Sequence, residues 1–170
     1  MRRILVPLDG SDLAEAALPH AKELASRLSS SIHLLRVVPL ARQLAASSFA
    51  GSGGIDGMPG LDVKAIDEAV EARLEEAMVY IEEQGKKLRQ EGVSVEWEVR
   101  QGTAAEEILE CAKNNDIDLI AISTHGRSGL GRLVFGSVFD SVMRGAGIPV
   151  MVIKPPKAEA SDGSADAAAQ

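Results

Sequence analysis

Short apolar runs alternate with amphipathic helical patterns along this chain, and this alternation restricts its fold more than any other feature. The runs at residues 3–8, 32–38, 118–123 and 149–153 contain few polar side chains. Such runs are typical of strands that are buried on both faces of a parallel sheet. Residues 93–99 instead alternate apolar and polar side chains, as expected of an edge strand with one wet face. The sequence therefore predicts five strands.

Helical patterns separate these strands and indicate the fold class. The first pattern covers residues 11–28 with Ser11 as its N-cap, and a long one covers residues 63–90 and stops before Gly92. A third helix follows residue 103, and a fourth precedes the last strand. Alternating strands and helices imply right-handed crossovers. We therefore predict an α/β fold, a single doubly wound domain with a five-stranded parallel sheet (order 3-2-1-4-5) and helices on both faces.

The chain is predicted to be one domain with two segments that lack an apolar pattern. Its 170 residues fall in the usual single-domain range, and residues 1–154 contain every predicted strand and helix. Residues 39–62 are rich in alanine, serine and glycine, which predicts a flexible insertion. Residues 155–170 consist mainly of alanine, serine and acidic residues, which predicts a disordered tail.

Charge and cysteine content indicate a soluble cytoplasmic protein. The formal net charge of −7 opposes a general affinity for nucleic acid or anionic membranes, because both need clustered lysine and arginine. The single cysteine, Cys111, excludes an intrachain disulfide framework and is expected to be a buried, inert thiol. The apolar run near the N-terminus is too short for a signal peptide or a membrane span.

A glycine-rich connection after the predicted fourth strand is the main candidate for chemistry. Residues 123–137 read Ser-Thr-His-Gly-Arg-Ser-Gly-Leu-Gly-Arg-Leu-Val-Phe-Gly-Ser. Glycines let backbone N–H groups approach an anion, and a helix N-terminus adds a favourable dipole, so phosphate is the natural occupant. Doubly wound sheets bind ligands where strand order reverses, which also directs attention to Asp9. A tight turn without a ligand is the alternative interpretation, since neither a P-loop nor a dinucleotide fingerprint is present.

These motifs together resemble the ATP-binding branch of the universal stress protein family. The family pattern is Gly, two residues, Gly, nine residues, then Gly-Ser or Gly-Thr, and this chain has Ser123, Gly126 and Gly136-Ser137 at those positions. The opening Ile-Leu-Val-Pro-Leu-Asp-Gly-Ser, the second strand Leu-Leu-Arg-Val-Val and the closing Pro-Val-Met-Val-Ile also resemble the family. The resemblance covers residues 2–154, and its departure is Ser123 in place of the first glycine.

The resemblance implies an ATP-binding stress-response or signalling module with at most slow ATP hydrolysis and no catalytic residue. It places Asp9 near the adenine and ribose edge and the Val37 backbone against the base, with Mg²⁺ on the phosphates. It also implies a homodimer through antiparallel pairing of the last strands at residues 150–153. The implied nucleotide-binding set is Pro7, Leu8, Asp9, Val37, Ser123, His125, Gly126, Arg127, Gly136, Ser137 and Val138.

Several of these residues also have an interpretation that needs no ligand. Asp-Gly-Ser after the first strand is favourable for an Asx turn, and Ser137 with Asp140 matches a capping box. His125 is the one histidine with functional promise, although hydrogen bonds that shape its loop are an alternative to acid–base chemistry. Arg127 fits a solvated surface side chain equally well. His20 is expected at the boundary of the core.

Two other functions compete with the ATP-binding module. Nucleotidyltransferases of related fold carry His-x-Gly-His after the first strand, and this chain has Asp-Gly-Ser-Asp there, which disfavours a nucleotide-using enzyme. A nucleotide-free dimeric interaction protein of the same family would normally lack the glycine loop. Here most of the loop is present.

Overall fold

The computed structural model describes residues 2–40, 63–124 and 137–154, which contain five strands and five helices. The strands pair in parallel in the order β3-β2-β1-β4-β5, so the predicted fold class and strand order are confirmed. Three segments lie outside the described residues: residues 41–62 of the predicted insertion, residues 125–136, and the predicted tail at residues 155–170. The elements are β1 (Arg3–Leu8), α1 (Asp12–Glu15), α2 (Ala17–Leu28), β2 (Ser31–Val38), α3 (Val63–Gln90), β3 (Val95–Gln101), α4 (Ala104–Asn114), β4 (Leu119–Ser123), α5 (Ser137–Gly145) and β5 (Val150–Ile153).

The central strands are apolar on both sides because helices cover both faces of the sheet. In β1, Ile4 and Val6 belong to a first core cluster, whereas Leu5 between them belongs to a second. All three side chains are fully buried. Successive side chains of a strand point to opposite faces, so each cluster fills one side of the sheet.

The helices divide between the two faces in sequence order. Ala21 of α2 and Ile81 of α3 pack in the first cluster, whereas Ile108 of α4 and Val142 of α5 pack in the second. The helical connections between β1, β2 and β3 therefore lie on one face of the sheet. The connections between β3, β4 and β5 lie on the other face. The direction of winding reverses between β1 and β4, which is where such sheets place their ligands.

The first predicted helix is divided into α1 and α2, so the prediction of one continuous helix was wrong. Ser11 is the N-cap as predicted, and its hydroxyl accepts a hydrogen bond from the Ala14 N–H at 3.2 Å. Pro19 accounts for the break, because it has no N–H to donate to the carbonyl of Glu15. Proline is tolerated in the first turn of α2, where N–H groups have no partner within the helix.

β3 begins two residues later than predicted because Gly92 and Val93 are used to end α3. Gly92 adopts a left-handed backbone with φ of 83°, and the Val93 N–H donates to the Leu88 carbonyl at 3.1 Å. This is the bonding of a Schellman-type helix end. Pairing with β2 starts at Val95, and the predicted position of this strand at the sheet edge is confirmed.

Trp97 packs the edge strand against α3. A Cβ on Gly85 would lie 2.3 Å from the Cε3 atom of the indole, so only glycine lets the ring approach the helix this closely. The Arg89 guanidinium stacks on the indole, with its central carbon 4.1 Å from the ring centroid.

The remaining face of α3 is exposed and acidic. Glu71, Glu75 and Glu82 are exposed and lie on a solvated helix face. On α2, His20 is exposed rather than at the core boundary, which corrects the expectation for that residue. Within the described ranges, no helix combines the length and the apolar character needed to cross a membrane.

Candidate functional site

A cavity opens at the carboxyl ends of β1 and β4, where the direction of winding reverses. Its volume is about 340 Å³. The ends of β1, β2 and β4 form it together with parts of α1, α4 and α5. The residues that line it are Pro7, Leu8, Asp9, Leu13, Ala14, Leu35, Val37, Ala104, Ile108, Ile122, Ser123, Thr124, Ser137, Val138 and Phe139.

Most of the cavity wall is aliphatic. Leu35, Ile108 and Ile122 are buried side chains from β2, α4 and β4 that face the cavity. Val37 lies two residues after Leu35 in β2. Its side chain is partly exposed and lines the opening of the cavity. A flat ring system can bury its faces against such a wall, and the polar groups that orient it must come from elsewhere.

Asp9 provides the carboxylate of the cavity. Its Oδ1 accepts hydrogen bonds from the Ser11 N–H at 2.9 Å and from the Ser11 hydroxyl at 2.5 Å. These contacts form the Asx turn that was one interpretation of the sequence. The turn holds an exposed carboxylate at the cavity, so the turn and a ligand contact are compatible.

Ser123 places a hydroxyl at the end of β4. Its Oγ is buried and has no hydrogen-bond partner within the described part of the chain. An unsatisfied buried hydroxyl costs about 1–3 kcal/mol, so a polar ligand atom here would be favoured. The neighbouring Thr124 N–H donates to the Ile153 carbonyl at 3.0 Å, which ties this end of β4 to β5.

The N-terminal turn of α5 forms another side of the cavity. Ser137 and Val138 line the cavity, and both belong to the first turn of the helix. Helix N-termini attract anions through unpaired N–H groups and the helix dipole. Asp140, the proposed partner of Ser137 in a capping box, forms an ion pair with Arg144 at 2.9 Å.

The structure brings together every predicted nucleotide-binding residue that it describes. Seven residues, from the β1 end, β2, β4 and α5, all line this one cavity: Pro7, Leu8, Asp9, Val37, Ser123, Ser137 and Val138. Four others, His125, Gly126, Arg127 and Gly136, lie outside the described residues.

The sequence pointed to only part of the helical side of the cavity, namely Ser137 and Val138 of α5. Ala14, Ala104 and Phe139 line it but resemble any other small or apolar core residue. The only available signal was their position in the turns that follow the strands. Which of those turns converge depends on strand order.

A smaller cavity of about 240 Å³ adjoins Val37 on the side of α3. Arg36 lines it, and its guanidinium donates to the Leu8 carbonyl at 3.4 Å and lies 5.8 Å from the Tyr80 ring centroid. The Tyr80 hydroxyl donates to a Glu15 carboxylate oxygen at 2.8 Å. Burial, together with this carboxylate, raises the pKa of Tyr80 above its ordinary value. The phenol therefore acts as a neutral hydrogen-bond donor.

Comparison with known proteins connects this geometry to a family. The family model described as "Universal stress protein family" matches residues 1–154. The chain belongs to the universal stress protein family. Universal stress protein MJ0531 of Methanocaldococcus jannaschii is 33% identical to this family member over 93% of this chain and 85% of its own length.

Solved structures of the family share the fold. The structure of MJ0577, also from Methanocaldococcus jannaschii, has a TM-score of 0.71 at 28% identity, covering 92% of this chain and 97% of that one. UspA from Lactobacillus plantarum has a TM-score of 0.67 at 27% identity, covering 89% and 97% of the two chains.

Two more distant family structures contain nucleotides. The universal stress protein from Archaeoglobus fulgidus in complex with dAMP has a TM-score of 0.57 at 22% identity, covering 91% of this chain and 98% of that one. A universal stress protein in complex with cAMP has a TM-score of 0.54 at 19% identity, covering 89% and 95%. At these identities the likeness establishes the shared fold.

Proposed function

We propose that this chain binds ATP in the cavity between β1 and β4 and acts in the cytoplasm as a dimeric, ATP-responsive stress-response module. Family membership supports the role in stress response. One observation carries the proposal for the ligand: the seven described residues of the predicted ATP set line a single cavity at the switch point of the sheet. The dAMP and cAMP complexes of two family members support an adenine nucleotide.

The volume of the cavity indicates which parts of ATP would lie inside it and which outside. About 340 Å³ is near the lower end of the range of about 300–1,000 Å³ that is usual for small-molecule pockets. We assign the cavity to the base and ribose, with Val37 against the base and the Asp9 carboxylate accepting from ribose hydroxyls. The phosphates would extend past Ser137 toward the predicted contacts at Gly126 and Gly136, carrying Mg²⁺ that is otherwise bound to water.

The composition of the wall favours binding over fast chemistry. Among the described lining residues, Asp9 is the single carboxylate, and there is no lysine, arginine or histidine. Efficient phosphoryl transfer needs several charged groups positioned around the reacting phosphate. We therefore expect any hydrolysis to be slower than the ordinary enzyme range of about 1–10³ s⁻¹.

Among the described residues, no strand pairs with the outer edge of β5, which supports a dimer. The Ile120 and Thr124 N–H groups donate to the Pro149 and Ile153 carbonyls, so the alternate residues of β5 direct their backbone groups away from β4. Val152 is one of these alternate residues, and its side chain is exposed. An apolar edge with unpaired N–H and C=O groups is a template for antiparallel pairing with a second copy.

Calorimetric titration with millimolar ATP and Mg²⁺ tests the ligand proposal, together with nucleotide analysis of the purified, denatured protein. Ser123→Ala should weaken ATP about fivefold, the value of one hydrogen bond, without lowering Tm, because the Oγ has no described protein partner. Gly136→Val should abolish binding by filling the predicted phosphate space. Cys111→Ala is the control, since this side chain lies outside the cavity lining.

Three results would count against the proposal. An absence of both binding heat and co-purified nucleotide would leave a nucleotide-free dimeric interaction protein as the function. Equal weakening by Cys111→Ala would show that the variants act through stability. Turnover in the ordinary enzyme range would identify a nucleotide-using enzyme, with His125 the first residue to substitute.

A further inference from the structure

Three side chains that can bind a metal ion meet where β2 and β3 form one edge of the sheet. They lie on the face of the sheet opposite Trp97. His33 of β2, Glu98 of β3 and Cys111 of α4 offer one nitrogen, one oxygen and one sulfur atom, all within 4.8 Å of one another. The His33 Nε2 lies 3.0 Å from the Glu98 Oε1, and the Cys111 Sγ lies 3.2 Å from the same oxygen. These three residues form what we call the His-Glu-Cys cluster.

More hydrogen-bond donors approach the Glu98 Oε1 atom than it has lone pairs to accept them. Besides His33 and Cys111, the Asn115 amide nitrogen lies 3.4 Å away and an Arg100 guanidinium nitrogen 3.0 Å away. A carboxylate oxygen has about two lone-pair sites, so four donors compete for them. A single cation between nitrogen, oxygen and sulfur would replace two of these crowded contacts with direct ligand bonds.

The second nitrogen of His33 faces a nearby carboxylate without being hydrogen-bonded to it. His33 is 5% exposed, and its Nδ1 makes no hydrogen bond to any described residue. A carboxylate oxygen of Glu96 lies 3.7 Å from this Nδ1. Carboxylates in this position orient a histidine and raise its basicity as a ligand. Glu96 therefore lies where a small side-chain movement would give the carboxylate–histidine–metal arrangement.

The cluster is buried but has an entry path. Cys111 is fully buried, whereas the Glu98 side chain is 31% exposed at the sheet edge. The carboxylate oxygens of Glu98 therefore lie at the mouth of the cluster, where an ion can enter from solvent.

We propose that His33, Glu98 and Cys111 form a binding site for one thiophilic divalent cation of the Zn²⁺ type. Imidazole, thiolate and carboxylate are the ligands of protein zinc sites, and sulfur favours Zn²⁺ over Mg²⁺ or Ca²⁺. On binding, the metal–sulfur bond forms as the thiol proton leaves to solvent, and water completes the coordination. The ion would tie β2, β3 and α4 together, and its binding does not depend on ATP.

Arg100 sets the strength of this site. Its positive charge beside Glu98 repels a cation, which limits affinity. A second carboxylate, that of Glu107, lies 3.7 Å from another nitrogen of the same guanidinium. Arg100 therefore keeps an acidic partner when the metal occupies the Glu98 oxygen. Removing the Arg100 charge should strengthen metal binding.

Equilibrium dialysis of tag-free, chelator-treated protein against Zn²⁺, with metal analysis, tests the proposal. The folded chain should bind one Zn²⁺ with a Kd of about 10 μM or lower. Cys111→Ala and His33→Gln should each weaken binding at least tenfold, whereas His20→Gln, which changes an exposed histidine on α2, should not change it. Arg100→Gln should tighten binding about tenfold. Co²⁺ should give the near-ultraviolet thiolate charge-transfer band in the parent protein and lose it in Cys111→Ala.

The opposite results overturn the site. Equal Zn²⁺ affinity in Cys111→Ala, or a Co²⁺ complex without the thiolate band, would place the ion on surface carboxylates. No binding by the folded parent at about 100 μM Zn²⁺ would reject it directly. An unchanged affinity in Arg100→Gln would show that the ion does not sit beside Glu98. Circular dichroism of each variant separates these outcomes from unfolding, and ATP calorimetry tests the nucleotide site independently.

Discussion

Replacing Gly85 by alanine should destabilise the protein, although alanine is the better helix former. Gly85 is buried within α3, where exchange for alanine would ordinarily gain about 1 kcal/mol. Here the new Cβ would lie 2.3, 2.6 and 2.9 Å from three atoms of the Trp97 ring. All three atoms belong to the rigid six-membered ring, so the whole indole has to move.

The size of the effect follows from opposing terms. Overpacking of this kind costs about 1–3 kcal/mol. Displacement of the ring also weakens its stacking with Arg89, which is worth about 0.5–2 kcal/mol. After the helix-propensity gain is subtracted, the terms leave a net loss of about 0.5–4 kcal/mol, centred on about 2 kcal/mol. For a chain of this size a loss of about 2 kcal/mol corresponds to a fall in Tm of about 4–8 °C.

Tryptophan fluorescence provides a direct readout, because Trp97 is the only tryptophan in the chain. Gly85→Ala should shift its emission to longer wavelength and lower the thermal midpoint. Gly147→Ala is the matched control, since a Cβ there meets no atom of the described residues within 4 Å, and it should leave both readings nearly unchanged. In a Trp97→Leu background the penalty for Gly85→Ala should largely disappear. A Gly85→Ala variant with unchanged emission and equal or higher Tm would refute the packing argument.

Two further predictions concern Cys111 and β5. Burial, with help from the Glu98 carboxylate, raises the pKa of the Cys111 thiol from 9.0 to about 12, so the unfolded chain loses this proton first as pH rises. The stability it contributes is complete below pH 9 and is lost between pH 9 and 12, by up to about 1.4 kcal/mol per pH unit. Urea titrations of metal-free protein should show this extra alkaline slope in the parent and not in Cys111→Ala, and parallel pH profiles would contradict it. Val152→Pro should shift a dimer toward monomer in sedimentation by removing an outward donor, whereas Val152→Thr keeps the donor and should remain dimeric; a monomeric parent at all concentrations would exclude the interface.

Much of the fold could be predicted from local pattern. The apolar run of β1 and the 28-residue pattern of α3 match the structure at both ends. The errors came where one residue overrules a pattern. Pro19 divides a helical pattern because it has no N–H, and Gly92 draws Val93 into the end of α3. Both residues are visible in the sequence, but the periodicity of apolar residues alone does not predict that they interrupt a helix or delay a strand.

The sequence by itself determined which residues belong to strands and helices, the family resemblance and the candidate ligand residues at strand ends. These follow from local chemistry, since burial on two faces selects continuous apolar runs and turns select glycine, aspartate and serine. Only the tertiary structure decided which side chains meet. Parallel pairing of β1 with β4 brings Asp9 and Ser123, 114 positions apart in the numbering, to one cavity. The crossing of α4 over β2 and β3 brings Cys111 to His33 and Glu98, because contacts between distant segments depend on strand order and not on sequence spacing.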